Sequence, residues 1–158
     1  MARQLVTFEV AGRKFGIDLW AVSRVAPAVW VTNLPHSPHC VAGVIDIEGV
    51  VSPVLDVRLL WQLGEGEPAA PREVGLEDQF IVVASGARYV VLWVDTVQNV
   101  IPCDDADWVA LEEVLDNPGA CRYFEGAMKL QGEIILVCDP AALLVPDTLE
   151  LPGPELVS

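Results

Sequence analysis

Gly43-Val-Ile-Asp-Ile-Glu-Gly49-Val-Val-Ser-Pro-Val-Leu-Asp56 recurs later in the chain as Gly126-Ala-Met-Lys-Leu-Gln-Gly132-Glu-Ile-Ile-Leu-Val-Cys-Asp139. The two glycines and the aspartate keep one constant offset of 83 residues. Ile45, Ile47 and Val54 find apolar counterparts in Met128, Leu130 and Val137. A second pair of segments repeats as well: Gln4 to Phe15 opens the chain, and Gln79 to Tyr89 opens its second half. Val22, Val25 and Pro27 then match Val97, Val100 and Pro102 at an offset of 75. Two copies with so long a period describe a duplicated small domain rather than a solenoid.

Each half alternates like strands. Leu5 to Val10 and Phe15 to Leu19 place apolar residues at every second position around the Ala11-Gly12-Arg13-Lys14 turn, which reads as a hairpin. Val22 to Val31 is apolar but interrupted by Pro27; proline lacks the ladder donor, so this is an edge strand or two short strands. Cys40 to Ile47 and Val50 to Leu55 form a second hairpin about Glu48-Gly49, with Gly49 at positive φ. Asp56 ends that strand and caps a short helix from Val57 to Leu63. Phe80 to Ala84, Tyr89 to Val94 and Thr96 to Ile101 repeat the opening strands; Tyr123 to Leu130 and Glu133 to Cys138 repeat the central hairpin. Acidic Cys103 to Pro118 is loop with a helical turn near Leu111 to Leu115. After Asp139, Pro140 opens a helix over Ala141 to Val145, since proline suits the first helical position.

Short strands at even spacing with glycine turns predict an all-β fold of two small barrels, one per internal repeat. The domain is expected over residues 1–146, with one lobe at about 15–63 and the other at about 79–146. The N-terminal strand is free to cross between them. Residues 64–78, rich in Gly, Pro and Glu, are expected to be a flexible loop, and 147–158 a disordered tail. A chain of 158 residues buries about 68–70% of its unfolded surface, but half of it only about 60%. The two halves should therefore share an interface and fold together.

Composition narrows the function. The net charge of −14 opposes binding to nucleic acid, whose phosphates need a basic footprint, and to anionic lipid. Apolar residues make up 53% of the chain, yet no run reaches the roughly 18 residues of a membrane span, so no membrane insertion is expected. Met1-Ala-Arg-Gln-Leu-Val leads straight into a strand, with no leader expected ahead of it. Cys40, Cys103, Cys121 and Cys138 have no Cys-x-x-Cys spacing and read as reduced cytosolic thiols, Cys121 and Cys138 as core residues. Excess hydrophobicity in such a chain points to exposed apolar patches where a partner docks.

Candidate chemical sites are few. His36, His39 and Cys40 share a loop, but three residues lack a fourth zinc ligand, and loop residues beside prolines are the simpler reading; no metal and no cofactor are called for. Asp56 and Asp139 stand at equivalent places in separate repeats, so each reads as a strand terminator rather than half of an acid–base pair. No nucleotide-binding or nucleophile-elbow motif occurs. Trp20, Trp30, Trp61, Trp93 and Trp108 read as core or lobe-interface residues, with Trp20 and Trp30 as candidates to flank a groove.

The ordered series resembles the chemotaxis coupling protein family, CheW. It runs Phe15-Gly16-Ile17, then Val22-Ser-Arg-Val25, then Leu34-Pro35-x-x-Pro38-x-x-x-x-Gly43-Val44, then Gly49-Val-Val-Ser-Pro53-Val54-Leu55-Asp56-Val57-Arg58. The likeness continues from Phe80 through Gly126, Gly132 and Asp139 to Leu144, nearly the whole chain. The resemblance implies two intertwined SH3-like five-stranded barrels. It also implies a non-enzymatic cytoplasmic adaptor, recruited to membrane receptor arrays. Such an adaptor joins the signalling tip of a methyl-accepting chemoreceptor to the regulatory domain of a CheA-type histidine kinase. The receptor-binding residues it implies are Val22, Arg24, Val25, Gly43, Val44, Glu48, Gly49 and Arg58, while kinase pairing falls to unassigned apolar residues of the second lobe. The alternative is a regulatory or small-ligand-binding double β-barrel outside chemotaxis; an enzyme is the third class.

One feature departs from the family pattern, which usually has Arg before the hairpin glycine and often an acid in the Val-x-x-Val segment. Here Glu48 and Arg24 stand there, with both signs reversed. A compensated swap is expected, the two side chains facing each other as an ion pair.

Overall fold

The computed structural model describes residues 3–33, 40–61, 74–85, 88–111, 114 and 122–143. The first half contributes β1 (Arg3–Val10), β2 (Arg13–Asp18), β3 (Val22–Pro27), β4 (Val41–Ile47), β5 (Val50–Asp56) and helix α1 (Val57–Leu60). The second contributes β6 (Gln79–Ser85), β7 (Arg88–Val94), β8 (Thr96–Cys103), the short β9 (Trp108–Val109), β10 (Phe124–Leu130), β11 (Glu133–Cys138) and helix α2 (Pro140–Leu143). Three hairpins turn on Ala11-Gly12, Glu48-Gly49 and Gln131-Gly132, with positive φ at both residues of each pair. Two successive positive φ values match the right-handed twist of the flanking strands, which is why glycine takes the second place.

The fold is all-β and the two halves exchange strands completely. One sheet runs β8-β1-β2-β11-β10-β9, the other β3-β6-β7-β5-β4. With β1, β2, β3, β4 and β5 equated to β6, β7, β8, β10 and β11, the two orders are the same. Each barrel thus takes its opening hairpin from one repeat and its central hairpin from the other. The joints are the only parallel pairings among the described strands, β2 with β11 and β5 with β7. Hairpins cannot make parallel neighbours, so these joints need chain from the other repeat. Neither half can complete a sheet by itself.

Both barrels close in the same way. Beyond β3, Thr32 exchanges two backbone hydrogen bonds with Val44 of β4, at 3.0 and 2.9 Å. Beyond β8, Trp108 and Val109 pair with Met128 and Ala127 of β10. The repeat's first glycine lies under each closing segment. β3 is an edge strand in the sheet order and ends at Pro27, as its proline requires.

Three apolar clusters follow from this plan. Phe80, Val82, Val91 and Trp93 gather with Ile47 and Val54 inside one barrel; Leu5, Met128, Ile135 and Val137 gather inside the other. The largest cluster lies in the seam, where Phe15 and Phe124 stack on each other and pack tilted against Trp61 at ring distances of 4.7 and 5.0 Å. Trp61 and Trp93 are buried, and Trp108 is half-buried. Trp20 and Trp30 are instead 78% and 83% exposed, so neither belongs to the core. Trp20 sits in a three-residue 3-10 turn whose inward place is taken by Ala21.

The capping aspartates do what their places demand. Asp56 Oδ1 accepts the Arg58 amide at 3.1 Å, and Asp139 Oδ1 the Ala141 amide at 3.0 Å. At the end of the 64–78 segment, the Asp78 carboxylate accepts from the Gly75 amide and the Trp93 indole, both at 2.9 Å. Residues 64–73, 115–121 and 144–158 lie outside the described residues, and with them the tail and parts of the expected loop and helical turn.

Candidate functional site

The edge strand β3 and the β4–β5 turn carry the predicted site. Residues directly opposite on antiparallel strands share a face of the sheet, so partners reveal direction. Val22 and Val25 pair with Val83 and Ile81, both of the seam cluster, and therefore face the seam. Arg24 pairs with Val82, a residue of the barrel interior, and faces the barrel mouth. A bulge between Val22 and Arg24 sets this division.

At the mouth, Arg24 Nη2 donates to Glu48 Oε1 at 2.5 Å. The expected pairing of the reversed charges is present. Both side chains are about half exposed, at 48% and 63%. The turn is braced by the Gly49 amide, which donates to Asp46 Oδ1 at 2.8 Å. Val50 and Val51, which follow the turn, are 37% and 39% exposed, and Val25, beside Arg24 but on the seam face of β3, is 40% exposed. Val50 and Val51 are absent from the sequence-derived set. Their signal is the Val-Val run after Gly49, which puts an apolar residue on both faces where alternation needs only one.

Gly43 is buried and Val44 half-buried, both engaged by the Thr32 bridge. They hold the barrel closed beside the site. Arg58 stands apart from the others. It follows β5, whose seven residues span about 20 Å from the Glu48-Gly49 turn. There its Nη2 donates to Asp95 Oδ2 at 2.8 Å, and the same oxygen accepts the Ala11 amide at 2.9 Å. Arg24, Glu48 and Gly49 are therefore brought together, Val22 and Val25 face the seam, and Arg58 ties a helix to two turns at the far end.

The other candidates offer little chemistry. His36 and His39 lie outside the described residues; Cys40 is half-buried, and burial pushes its thiol up. Among the described residues no group of three His, Cys, Asp or Glu could hold a metal. None of the described helices is long and apolar enough to cross a membrane.

The two-barrel plan with exchanged strands can be set beside known proteins. A family profile described as the CheW-like domain matches residues 4–146. The chain belongs to the CheW-like family. A chemotaxis protein CheW of Rhizobium meliloti is 26% identical over 142 residues, covering 87% of this chain and 84% of that one. One from Bacillus subtilis is 23% identical over 96% and 93% of the two chains. The crystal structure of a scaffolding protein, TtCheW from Thermoanaerobacter tengcongensis, superposes with a TM-score of 0.74 at 26% identity, covering 88% and 85%. CheW-like proteins act as scaffolds in chemotaxis, and this chain is a chemotaxis coupling adaptor by family and by fold. Membership favours this reading over a ligand-binding double barrel outside chemotaxis.

Proposed function

We propose that this CheW-like chain acts without catalysis, in the cytoplasm and at membrane receptor arrays, by joining the signalling tip of a methyl-accepting chemoreceptor to the regulatory domain of a CheA-type histidine kinase. The observation that carries the receptor half is the exposure of Val50 and Val51 next to the turn that holds the Arg24–Glu48 pair, with Val25 exposed on the adjoining strand. Apolar contacts of this kind supply affinity to a docked helix, and the charged neighbours select which helix is accepted. Arg24, Glu48 and Gly49 form this surface, Val22 and Val25 border it from the seam face of β3, and Val44 and Gly43 support it by keeping the closing segment in place. Arg58 contributes by holding the far end rather than by contact at the turn. The kinase half rests on apolar residues of the second repeat.

The reversed signs deepen the reading. A helix whose charges suit an Arg before the hairpin glycine meets Glu48 here, and a like-charge contact opposes binding. The cognate receptor tip should therefore carry the complementary reversal. Co-sedimentation of the purified chain with receptor-tip fragments and kinase regulatory domain tests both halves. Joint sedimentation that weakens on Val25→Asp supports the proposal. Failure to bind either partner from its own organism rejects it.

A further inference from the structure

We propose that Asp46 is a positioning residue for receptor selectivity: by holding the peptide between Glu48 and Gly49, it fixes the place from which Glu48 meets a docked helix. This inference rests on the receptor reading already proposed. Asp46 is exposed and lies outside the sequence-derived set. Its Oδ1 accepts the Gly49 amide at 2.8 Å. That amide belongs to the central peptide of the turn, the plane whose rotation changes one turn type into another. Glu48 stands on the other side of the same plane, at φ +52°. A single bond from Asp46 therefore acts directly on the backbone that carries the Glu48 side chain.

The fold does not need this bond. Gln131-Gly132 makes the same turn, with φ of +52° and +82° against +52° and +85° for Glu48-Gly49. Two positions before it stands Lys129, whose ammonium only donates and cannot take an amide proton. Two positions before Ala11-Gly12 stands Glu9, whose carboxylate accepts from the Gln98 amide group at 3.2 Å instead. Among the described residues, Gly49 is the only one of the three turn glycines whose amide meets a side chain. The turn so held is the one that carries a charge to a barrel mouth. Glu48 reaches Arg24 at 2.5 Å, yet 63% of its side chain stays open to a partner. Arg24 alone is a poor anchor, because exposed ion pairs between long side chains hold weakly. A tip free to rock would present the carboxylate over a range of positions, and the cost of ordering it would fall on binding. The Asp46 bond removes that freedom in advance.

The test uses the full chain and a receptor-tip fragment from its own organism. In the parent, Glu48→Gln should weaken tip binding about fivefold or more, the loss of one charged contact. In the Asp46→Ala background the same change should cost less than about twofold, because Glu48 is no longer held in place. In the Asp46→Asn background the side-chain oxygen still accepts from Gly49, and the full effect should return. The Gly49 amide proton should move in the NMR spectrum of Asp46→Ala and stay near its place in Asp46→Asn. Urea unfolding of Asp46→Ala should stay close to the parent. An equal effect of Glu48→Gln in all three backgrounds would overturn the inference and leave the receptor reading standing. An Asp46→Asn variant that behaves like Asp46→Ala would overturn it too, since the charge and not the bond would then be what acts. A large loss of stability in Asp46→Ala would do the same by making Asp46 part of the fold. A parent chain that binds no tip rejects the receptor reading, and this inference with it.

Discussion

A Cβ built on Gly43 would stand 2.4 Å from the carbonyl oxygen of Thr32. That oxygen accepts the Val44 amide at 2.9 Å, and the Val44 oxygen accepts the Thr32 amide at 3.0 Å. The glycine is what allows the segment after β3 to lie across β4 and close the barrel. Its counterpart Gly126 lies under the ring of Trp108, where a Cβ would meet ring carbons at 2.3 and 2.6 Å. One closure rests on backbone and the other on a side chain.

Gly43→Ala should therefore destabilise more than Gly126→Ala. At Gly43 the obstacle is a carbonyl in a two-bond bridge, and relief requires breaking the bridge, a cost of at least about 2 kcal/mol from overpacking and lost hydrogen bonds. At Gly126 the Trp108 ring can tilt, although it must loosen from Arg3, whose guanidinium lies 5.1 Å from the ring centroid. Urea unfolding of the two variants checks the order; equal losses would mean that the bridge is not the rigid element.

Removing the Arg24–Glu48 pair should leave the fold nearly untouched. Both side chains are about half exposed, and exposed pairs contribute about 0–1 kcal/mol. A double-mutant cycle with Arg24→Ala and Glu48→Ala should give a coupling within that range, shrinking as salt rises. Receptor-tip binding should respond far more strongly than stability, with the Arg24→Glu, Glu48→Arg double variant changing which tip is accepted. A coupling well above 1 kcal/mol would instead make the pair a structural clamp.

The first turn offers a stabilising change. Ala11 holds φ at +52°, a region unfavourable for alanine by about 1–2 kcal/mol, and precedes Gly12 at +77°. Asn-Gly is the preferred pair for a two-residue turn with positive φ at both places. Ala11→Asn should raise stability by about 0.5–1 kcal/mol in chemical unfolding, without altering partner binding at β3. A decrease would show that the Ala11 amide contact to Asp95 is disturbed by the new side chain.

The repeat, its hairpins and the Asp56 cap were legible because each is local: an X-Gly turn, alternation, or an acid before a helix; the matching Asp139 cap follows from the repeat. The Arg24–Glu48 pair was legible through two sign changes that only make sense together. The composition of each sheet was not. The parallel pairing of Phe15 with Leu136 and of Leu55 with Leu92 joins distant chain, and alternation is the same whichever hairpin is the neighbour. The contacts of Arg3 were hidden for the same reason. Arg3 donates to Asp18 through Nε at 3.0 Å and Nη2 at 2.6 Å, and also to Glu125, far away in sequence. Asp78, at the equivalent place in the other repeat, serves the opposite strand by a different bond, to the Trp93 indole. Side chains diverged where the backbone plan did not, so reading the repeat alone misses both contacts.

The thiols should make stability fall on the alkaline side. Cys138 is fully buried, and desolvation, reinforced by the charge of Glu125, pushes its thiol well above the usual range. Burial moves Cys40 and Cys103 in the same direction. In the unfolded chain a cysteine releases its proton near about 8.5. Above that pH the native state still holds protons that the unfolded state has lost, so the native state binds more and its stability declines as pH rises. Below the unfolded value the contribution is complete; it is lost progressively towards the folded one. Between pH 8.5 and 9.5 the decline should be led by Cys138, the most deeply buried of the three thiols. Urea unfolding under reductant at these two values measures the decline, and Cys138→Ala should flatten it while lowering stability at neutral pH through the smaller side chain. An unchanged slope in that variant would show that other groups govern the alkaline loss.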